Sequence, residues 1–351
     1  MQPSRARRRM LAAMRQIWIS RAGAPKVLEL REAPDPTPAA GEVRIRVAAS
    51  GVNFADLSAR MGLYPDAPPI PCVVGYEVSG VIDALGPEVE DFEDGAKVVA
   101  LTRFGGYSDV VCVPHHQVVR VPEGISLRSA AGVPVNYLTA WLMLIELGNL
   151  QAEHTVLVHA AAGGVGQAAL QICKWRGAAV IGTASAGKHE RLRAAGIDHC
   201  IDYRNDDFET EVMRITEGLG VDIVLDAVGG ESYAKSYRCL RHLGRLFMFG
   251  ASSFMPGEKR RLGPLLAGLL KTPKFKPFDM LDKNRGVFGV NLGHLWHEQE
   301  RSGAVFRRVM DKVGDKTLIP VIDREFSFDD AVEAHAYIQE RKNFGKVLLV
   351  P

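Results

Sequence analysis

Residues 156–177 read VLVHAAAGGVGQAALQICKWRG, which is an apolar strand, a tight turn of small residues and an amphipathic helix. A dinucleotide pyrophosphate binds backbone amides at a helix N-terminus, and only residues with little or no side chain let the backbone come close enough. The turn contains Ala161, Gly163, Gly164, Val165 and Gly166, so it matches G-x-G-x-x-G with alanine at the first glycine position. Its place between a predicted strand and a predicted helix indicates a dinucleotide site. The alternative is a glycine turn that only packs the helix on the strand.

Length and composition limit the class of protein. The chain has 351 residues, enough for two domains of ordinary size, and it is 47% hydrophobic and 24% charged, as is typical of a globular protein. Its formal net charge of +2 gives no general case for binding nucleic acid, which needs clustered lysine and arginine. No apolar run reaches the length that spans a bilayer. Neither a nucleic-acid partner nor a membrane-spanning segment is therefore expected.

The cysteines and the N-terminus bear on location. Cys72, Cys112, Cys173, Cys200 and Cys239 are odd in number and show no C-x-x-C spacing, which favours a reducing, cytoplasmic setting and no zinc knuckle. The N-terminal MQPSRARRRMLAAM is basic, with no apolar segment after it, so it is not a secretory signal. We predict a disordered extension over residues 1–13, with a transit peptide or a nucleic-acid arm as alternatives.

The hydrophobic pattern divides the chain into two regions. Alternating or short apolar runs cut by Gly and Pro predict a compact, barrel-like β domain, with strands at 43–49, 78–84, 96–101 and 110–113. After about residue 134 strands alternate with helices, at 156–161, 178–184, 200–202, 221–227, 245–250 and 286–290. This order predicts an α/β fold with a Rossmann-type, doubly wound parallel sheet. Ser327 is expected to cap a late helix, and KVLLV (346–350) to form a last strand of unknown pairing.

The end of the second strand of that unit bears on the choice of nucleotide. NAD-binding units usually place Asp or Glu there for the ribose 2′-hydroxyl, whereas this strand is followed by Ser185 and then Lys188. A lysine can hold a 2′-phosphate as a point charge, so NADP(H) is predicted. There are two alternatives: Lys188 is a solvated helix residue, or the site discriminates only weakly between NAD(H) and NADP(H). Tyr203, after the third strand, is expected to flank the adenosine or to lie on the surface.

Several motifs together carry a family resemblance. They are GVNFAD (51–56), GLYP (62–65), GYE (75–77), YLTAW (137–141), HAAAGGVG (159–166), GTASAGK (182–188) and FGKVLLV (344–350). In this order they resemble the medium-chain dehydrogenase/reductase superfamily, specifically its zinc-free quinone oxidoreductases of the zeta-crystallin type. NRGVFGVNLGHL (284–295) and ERKNFGKVLLVP (340–351) look closest to the vesicle amine transport protein-like branch. The resemblance runs from about Met14 to Pro351.

The resemblance implies a domain layout and a site. A GroES-like, mainly β catalytic domain would span residues 14–133 and be completed by 298–351, around a Rossmann NADP(H)-binding domain at 134–297. The active site would lie in the cleft between them, and the protein would be a homodimer.

The resemblance also implies that no metal is bound. Zinc alcohol dehydrogenases of this superfamily carry a ligand cysteine where this chain has Asn53 and a ligand histidine where it has Tyr76. Neither asparagine nor tyrosine is an ordinary zinc ligand. The structural zinc lobe is also missing, since no cysteine lies between Gly95 and Tyr107.

A metal-free site must polarise a carbonyl by hydrogen bonds alone, which favours acceptors whose reduced form is a stabilised anion. We therefore expect NADPH-dependent hydride reduction of a quinone or an α,β-unsaturated carbonyl compound. Asn53 and Tyr64 resemble cleft residues of the family and are the predicted donors to the developing oxyanion. Asn53 satisfying a turn and Tyr64 packing its loop are the alternatives. Asp56 is expected to be a structural acceptor.

Other residues are predicted around the nicotinamide. Tyr137 and Thr139 resemble family positions near it, although either could be a packed helix residue. Gly250 and the backbone at Phe288, Gly289 and Val290 are expected to line the pocket, because ligands bind at strand carboxyl ends in such sheets.

Two rival functions stay open. An enoyl-thioester reductase would carry a lysine after the fourth strand, where this chain has Ser232, with Lys235 out of register. A lipid-handling or membrane-associated role rests on residues 254–285, which hold eight basic and three acidic residues around LGPLLAGLL (262–270). A flap or a dimer contact is favoured for this segment, because Gly263, Pro264 and Gly268 disfavour a long helix.

Overall fold

The computed structural model describes residues 13–255, 257 and 262–351. Residues 1–12 of the predicted N-terminal extension lie outside this range. Ala13, expected to be the last residue of the extension, is instead the first residue of strand β1.

The strands are β1 Ala13–Ile19, β2 Leu28–Pro34, β3 Glu42–Val52, β4 Cys72–Val73, β5 Glu77–Leu85, β6 Lys97–Leu101, β7 Val110–Pro114, β8 Val118–Arg120, β9 Thr155–Val158, β10 Ala179–Ala184, β11 His199–Asp202, β12 Val221–Asp226, β13 Leu240–Met248, β14 Gly286–Gly289, β15 Ile322–Ser327 and β16 Lys346–Val350. The α-helices are α1 Phe54–Arg60, α2 Leu127–Ala131, α3 Pro134–Trp141, α4 Gly164–Arg176, α5 His189–Ala194, α6 Phe208–Ile215, α7 Glu231–Arg238, α8 Leu262–Lys271, α9 Pro277–Lys283, α10 Gln299–Gly314 and α11 Ala331–Gln339.

The N-terminal region is built of antiparallel strands. A small sheet has the order β2-β1-β4, and a seven-stranded sheet has the order β15-β16-β3-β5-β6-β8, with β7 also paired to β3. Strand β3 explains the alternation of apolar and polar residues from which it was predicted. Val43 and Ile45 are fully buried in the core on one face of the strand. The intervening Arg44 and Arg46 both reach Asp83, at 2.7 Å, on the other face. The predicted period of two is confirmed.

The end of the chain returns to this first sheet. Strand β16 pairs antiparallel with β3, where Val347 faces Val52, and β15 pairs parallel with β16. The sequence predicted the strand but not its partner. This pairing is what the expected completion of the β domain by the C-terminal residues requires, and the exact domain boundaries stay a prediction.

The middle of the chain forms the parallel sheet that the sequence predicted. Its order is β11-β10-β9-β12-β13-β14, and every neighbouring pair is parallel. Numbered within the unit this is 3-2-1-4-5-6, the doubly wound order in which ligands bind at the switch point beside the first strand. The glycine turn follows that strand, β9. The fold is thus the predicted α/β combination of a Rossmann-like sheet and a GroES-like β region.

The basic segment 254–285 contains two short helices, α8 and α9, rather than one long helix. Gly263, Pro264 and Gly268, which were expected to disfavour a long helix, all lie within the ten residues of α8, Leu262–Lys271. Pro264 lies in the first turn, where the missing N–H has no intrahelical acceptor to lose. A side chain at Gly268 would meet the Phe254 ring, so this glycine lets the helix pack closely on the segment after β13. Residues 258–261, which hold part of the predicted charge, lie outside the described residues.

Across the described residues, none of the helices combines the length and the apolar character needed to cross a membrane.

Candidate active site

The predicted dinucleotide turn lies at the carboxyl end of the central strand β9. Ala161 N donates to Thr183 O at 3.1 Å, which ties the turn to β10, and α4 begins at Gly164. A β-carbon on Gly166 would lie 2.5 Å from the carbonyl oxygens of Ala160 and Ala161, and one on Gly164 would collide with Asn136. These glycines are required by packing as well as by close approach of a ligand. The N–H groups of the first turn of α4 point outward at this place and suit a pyrophosphate.

The residues predicted for the 2′-phosphate lie at the ends of β10 and β11. Ser185 precedes the short turn that contains Lys188, and the Lys188 ammonium donates to the backbone oxygen of Asn343 at 2.5 Å. Partial burial lowers the pKa of Lys188. The Tyr203 hydroxyl accepts from Arg341 Nη1 at 3.2 Å, and the Arg204 guanidinium lies 5.9 Å from its ring centroid.

Arg204 and Arg341 were missed by the sequence reading. The signal for Arg204 was present, since it adjoins Tyr203, whereas Arg341 lies 138 residues further along the chain. Although burial raises it, the pKa of Tyr203 is lowered overall by its hydrogen bonds with these arginines. Lysine, arginine and a phenol therefore gather at the ends of β10 and β11.

The tail segment, residues 341–346, links this cluster to the rest of the site. Asn343 O accepts from Lys188, Gly345 N donates to Ala162 O at 2.8 Å in the glycine turn, and Lys346 Nζ donates to Asn53 Oδ1. At Gly345 φ is +97°, and an added side chain would collide with Val321. Glycine is therefore needed at this crossing between the two sheets.

Asn53 lies in a buried polar cluster rather than on an open surface. Its Nδ2 donates to Glu77 Oε1 at 2.8 Å, and its Oδ1 accepts from Lys346 Nζ at 2.7 Å. Lys346 also forms an ion pair with Glu77, and Glu77 Oε2 accepts from Val135 N at 2.8 Å. The amide of Asn53 is thus used to hold a buried ion pair, and neither Glu77 nor Lys346 was among the predicted site residues.

Asp56 is the structural acceptor that the sequence predicted. The carboxylate accepts from Asn53 N at 2.8 Å and from Gly75 N at 3.0 Å, and it caps helix α1. It is fully buried, and desolvation raises its pKa to about 7. The hydrogen bond from Asn53 N and the charge of Lys346 lower the pKa and offset part of this effect. The same carboxyl interacts with Tyr107, whose hydroxyl lies 3.1 Å from His335 Nε2.

Tyr64 and Tyr76 lie edge to face beside the cleft. Their ring centroids are 6.0 Å apart, and Phe104 lies 5.2 Å from Tyr76. The Tyr64 hydroxyl is 3.4 Å from the β-carbon position of Gly293, in the loop after β14. Tyr64 therefore spans from the β region to the carboxyl edge of the parallel sheet, as a residue at a substrate site would.

The remaining predicted residues lie around the same edge. Thr139 is buried in α3, and the Tyr137 hydroxyl binds Gln171 and Ile319 O, so Tyr137 is a packed helix residue. The Phe288 ring stacks on Phe247 with centroids 5.1 Å apart. Two hydrogen bonds hold the backbone at this edge of the sheet. Val290 N donates to Met248 O, and Gly250 O accepts from the Tyr233 hydroxyl.

These residues do not fit a catalytic zinc ion. Asn53 is bound to Glu77 and Lys346, and the Tyr76 ring packs against Tyr64 and Phe104, so neither position offers an ordinary zinc ligand. In the part of the chain that the structure describes, no group of three or more His, Cys, Asp and Glu could hold a metal ion.

Comparison with known proteins agrees with the geometry. Residues 39–123 match the family alcohol dehydrogenase GroES-like domain, and residues 195–349 match the family zinc-binding dehydrogenase. The chain is 41% identical over 325 residues to the synaptic vesicle membrane protein VAT-1 homolog of Homo sapiens, which covers 92% of this chain and 82% of that protein.

Two solved structures share the whole architecture. The Escherichia coli quinone oxidoreductase complexed with NADPH has a TM-score of 0.85 at 28% identity, over 96% of this chain and 100% of that one. The CurK enoyl reductase has a TM-score of 0.83 at 30% identity, over 96% and 99%. The protein therefore belongs to the medium-chain dehydrogenase/reductase superfamily, in the VAT-1 branch of its quinone oxidoreductase-like members.

Proposed function

We propose that this protein is a zinc-independent, NADPH-dependent oxidoreductase that reduces quinones or α,β-unsaturated carbonyl compounds. The observation that carries the proposal is the cluster of Lys188, Arg204 and Arg341 around Tyr203, at the ends of β10 and β11. Cations at this place suit a 2′-phosphate, whereas a carboxylate would suit an NAD ribose.

The chain's own residues would hold NADP(H) in three places. The turn at 163–166 offers backbone N–H groups to the pyrophosphate, and the basic cluster holds the 2′-phosphate. The edge formed by Thr139, Gly250, Phe288 and Val290 takes the nicotinamide. When bound, NADPH supplies a hydride from the nicotinamide ring. The protein orients the acceptor and keeps water away from it.

Metal-free reduction is supported by the residue types at the site. Asn53 is occupied by the ion pair of Glu77 and Lys346, so we assign it a positioning role and assign the oxyanion donor role to Tyr64. The E. coli relative is a quinone oxidoreductase and the CurK relative an enoyl reductase, so both acceptor classes have precedent in this fold.

The test is steady-state oxidation of NADPH and NADH with menadione, 2-cyclohexenone and crotonyl-CoA as acceptors. We expect turnover with the quinone or the enone, and a KM lower for NADPH than for NADH. Lys188→Ala should raise the KM for NADPH by about 10–100-fold, since a hydrogen bond to a charged group contributes about 1.5–3 kcal/mol.

A surface lysine provides the matched control. Lys174→Ala removes an exposed pair with Asp198, 3.4 Å away, and should leave both KM values unchanged. Equal use of NADH and NADPH, with no effect of Lys188→Ala, would contradict the assignment of the nucleotide.

An enoyl-thioester substrate is less well supported by the structure. Ser232 donates to Asp226 Oδ2 at 2.7 Å, and Lys235 forms an ion pair with Asp207 at 2.6 Å. Both side chains therefore hold helix α7 to its neighbours and do not reach into the cleft. A strong preference for crotonyl-CoA over menadione would instead favour the enoyl thioester as the substrate.

One observation favours a second, membrane-associated role. Helices α8 and α9 expose large apolar side chains, with Leu270 at 87%, Phe278 at 85% and Leu281 at 69%. Lys271, Lys274 and Lys276 lie among them. Such a surface can lie on anionic lipid. Co-sedimentation with phosphatidylserine vesicles at low and high salt tests this role, and it fails if Leu270→Asp binds as well as the wild type.

We also propose a homodimer in a reducing, cytoplasmic setting. In the described residues β14 pairs on one side only, with β13, so an open strand edge is available to a second copy. The five cysteines are all free thiols, as expected in a reducing compartment. Light scattering of the purified protein measures the oligomeric state.

A further inference from the structure

The Tyr76 hydroxyl is buried and interacts with the Tyr64 side chain, but it makes no hydrogen bond of good geometry within the part of the chain that is described. The whole residue is only 7% exposed. A buried donor left without a partner costs about 1–3 kcal/mol, and phenylalanine would avoid this cost while filling the same space. Such a group needs an explanation, and a ligand that supplies the missing acceptor is one.

The backbone around Tyr76 fixes where its side chain points. Gly75 has φ of +103°, and a β-carbon on it would lie 2.7 Å from Tyr107 N, so only glycine fits there. Gly75 N is held by Asp56, and Tyr76 O accepts from Thr102 N at 2.8 Å. The ring is then packed against Phe104 and Tyr64. Tyr76 is a rigid group, as a preorganised donor has to be.

The contacts of Tyr76 connect it, through Tyr64, to the carboxyl edge of the parallel sheet. Tyr64 touches it edge-on, and the Tyr64 hydroxyl reaches the loop at Gly293 that follows β14. Carboxyl ends of parallel strands are where the ligand binds in such sheets. A carbonyl substrate that displaces the edge of the Tyr64 ring would contact the hydroxyl groups of both tyrosines.

We propose that Tyr76 is a second hydrogen-bond donor to the carbonyl oxygen of the acceptor, beside Tyr64. It would stand where zinc relatives carry a ligand histidine, so two phenols would take the place of the metal in polarising the carbonyl. This inference rests on the proposed reductase function.

The chemistry balances without any proton from Tyr76. Hydride adds to the β-carbon of the enone, the electrons of the carbon–carbon double bond move toward oxygen, and the resulting enolate is protonated by water. The nicotinamide is left oxidised. Burial raises the pKa of both Tyr64 and Tyr76, so both phenols stay neutral and act as donors only.

The test compares Tyr76→Phe with Tyr237→Phe. Tyr237 is a matched control, because it is 6% exposed and packs on Phe275 in the parallel-sheet region. Its hydroxyl is also buried without a hydrogen bond of good geometry in the described residues, and it has one polar neighbour, Asp279, as Tyr76 has Tyr64. Both variants should keep or raise the melting temperature. Tyr76→Phe should lower kcat/KM for 2-cyclohexenone by about 10²-fold, as loss of one oxyanion donor does. Tyr237→Phe should leave it unchanged.

A binding measurement separates the possible failures. Affinity for NADPH, measured by its fluorescence, should be the same in Tyr76→Phe and wild type. Weaker NADPH binding with unchanged kcat would mean that Tyr76 holds the carboxamide of the nicotinamide, and would overturn the proposal. Menadione binding to the NADP⁺ complex should weaken about fivefold, the effect of one hydrogen bond.

The menadione arm does not depend on turnover. If the wild type reduces no acceptor but Tyr76→Phe still binds menadione more weakly, the proposed reaction fails and the donor role stands. Unchanged menadione affinity and unchanged kcat/KM, or no binding of menadione by the wild type, overturn the donor role.

Discussion

Lys346 and Glu77 form an ion pair that is almost completely buried, with side-chain exposures of 3% and 0%. Removing one partner of a buried pair leaves an uncompensated charge and typically costs about 3–5 kcal/mol. We expect Lys346→Met to lower the free energy of unfolding by about this amount in urea denaturation. The double variant Lys346→Met, Glu77→Gln should recover part of the loss, because it leaves no unpaired charge.

The control for this prediction is the half-exposed pair of Lys174 and Asp198. Lys174→Met should change the free energy of unfolding by less than about 1 kcal/mol. Equal effects at the two lysines would show that Lys346 is not held in a buried pair.

Asp56 gives a prediction about pH. Its pKa in the folded protein is about 7, against an ordinary value of 3.8, because burial disfavours the charged form. The folded state therefore binds this proton more tightly than the unfolded state, so the stabilisation is complete below about pH 4 and is lost as pH rises through about 7. Asp56→Asn lacks this titration.

The measurement is the difference in unfolding free energy between wild type and Asp56→Asn from pH 4 to 8. We expect the wild type's advantage to fall as pH rises. The buried histidines His159 and His335 have lowered pKa values and are common to both proteins, so their opposite effect largely cancels in the difference. A difference that is flat with pH would contradict the raised pKa.

Single residues were predictable where a local motif surrounds them. Asp56 accepts hydrogen bonds at the start of α1, as the sequence predicted, whereas the role of Tyr64 stays a prediction. The role of Asn53 was not predictable, because its partner Lys346 lies 293 residues away and only strand pairing brings the two together. Lysine at the start of a strand carries no local signal for burial.

At the scale of elements, the contact between β9 and α4 depends on the glycine turn. Gly166→Ala would press its β-carbon to 2.5 Å from two carbonyl oxygens, so α4 must shift away from β9. We expect the KM for NADPH to rise about tenfold or more, the factor that 1.4 kcal/mol of lost binding gives. Thermal unfolding should also begin at a lower temperature.

A glycine in another helix is the matched control. In α10 a β-carbon on Gly303 would lie 3.5 Å from Arg307, an ordinary contact. Gly303→Ala should raise stability by roughly 0.5–1 kcal/mol through the helix preference of alanine, with an unchanged KM for NADPH. A normal KM in Gly166→Ala would contradict the assignment of the turn.

Elements with a strong period were predictable, whereas irregular segments were not. The strand at 346–350 was predicted from its apolar run. The tail segment, residues 341–346, has no hydrophobic periodicity, so its contacts with Lys188 and Ala162 could not be predicted from the sequence. The short helix α8 was not predicted from the sequence, because propensity counts against Gly263 and Gly268, and the packing of Gly268 on Phe254 is a contact that propensity does not include.

At the scale of the whole molecule, the proposed nucleotide site draws on the middle and the end of the chain. Lys188 belongs to the parallel-sheet region and Arg341 to the tail segment, so a bound 2′-phosphate would join the two. NADPH at about 100 times its Kd should stabilise the protein by about 2.7 kcal/mol. Arg341→Ala should reduce the thermal shift given by NADPH and leave the shift given by NADH unchanged.

Arg214→Ala, on the surface of α6, serves as the control and should show the wild-type shift with both nucleotides. Equal losses for NADPH and NADH in Arg341→Ala would place Arg341 away from the 2′-phosphate. The two kinds of region, a β region and a parallel sheet with helices, followed from the order of strands and helices, whereas the cleft between them was implied only by the family resemblance and stays a prediction. The pairing of sheets across the chain did not follow from this order, because it depends on contacts between distant residues.

The pairing of β16 with β3 has a consequence for biosynthesis. Residues 50–52 leave the ribosome long before residues 347–349, with which they pair. Until then the edge of β3 is unsatisfied, and Glu77 is without the lysine that neutralises it. Open edges and late, long-range pairing slow folding and expose nascent chains to aggregation. The buried cluster of Asn53, Glu77 and Lys346 is therefore completed only when the last strand of the chain has been made.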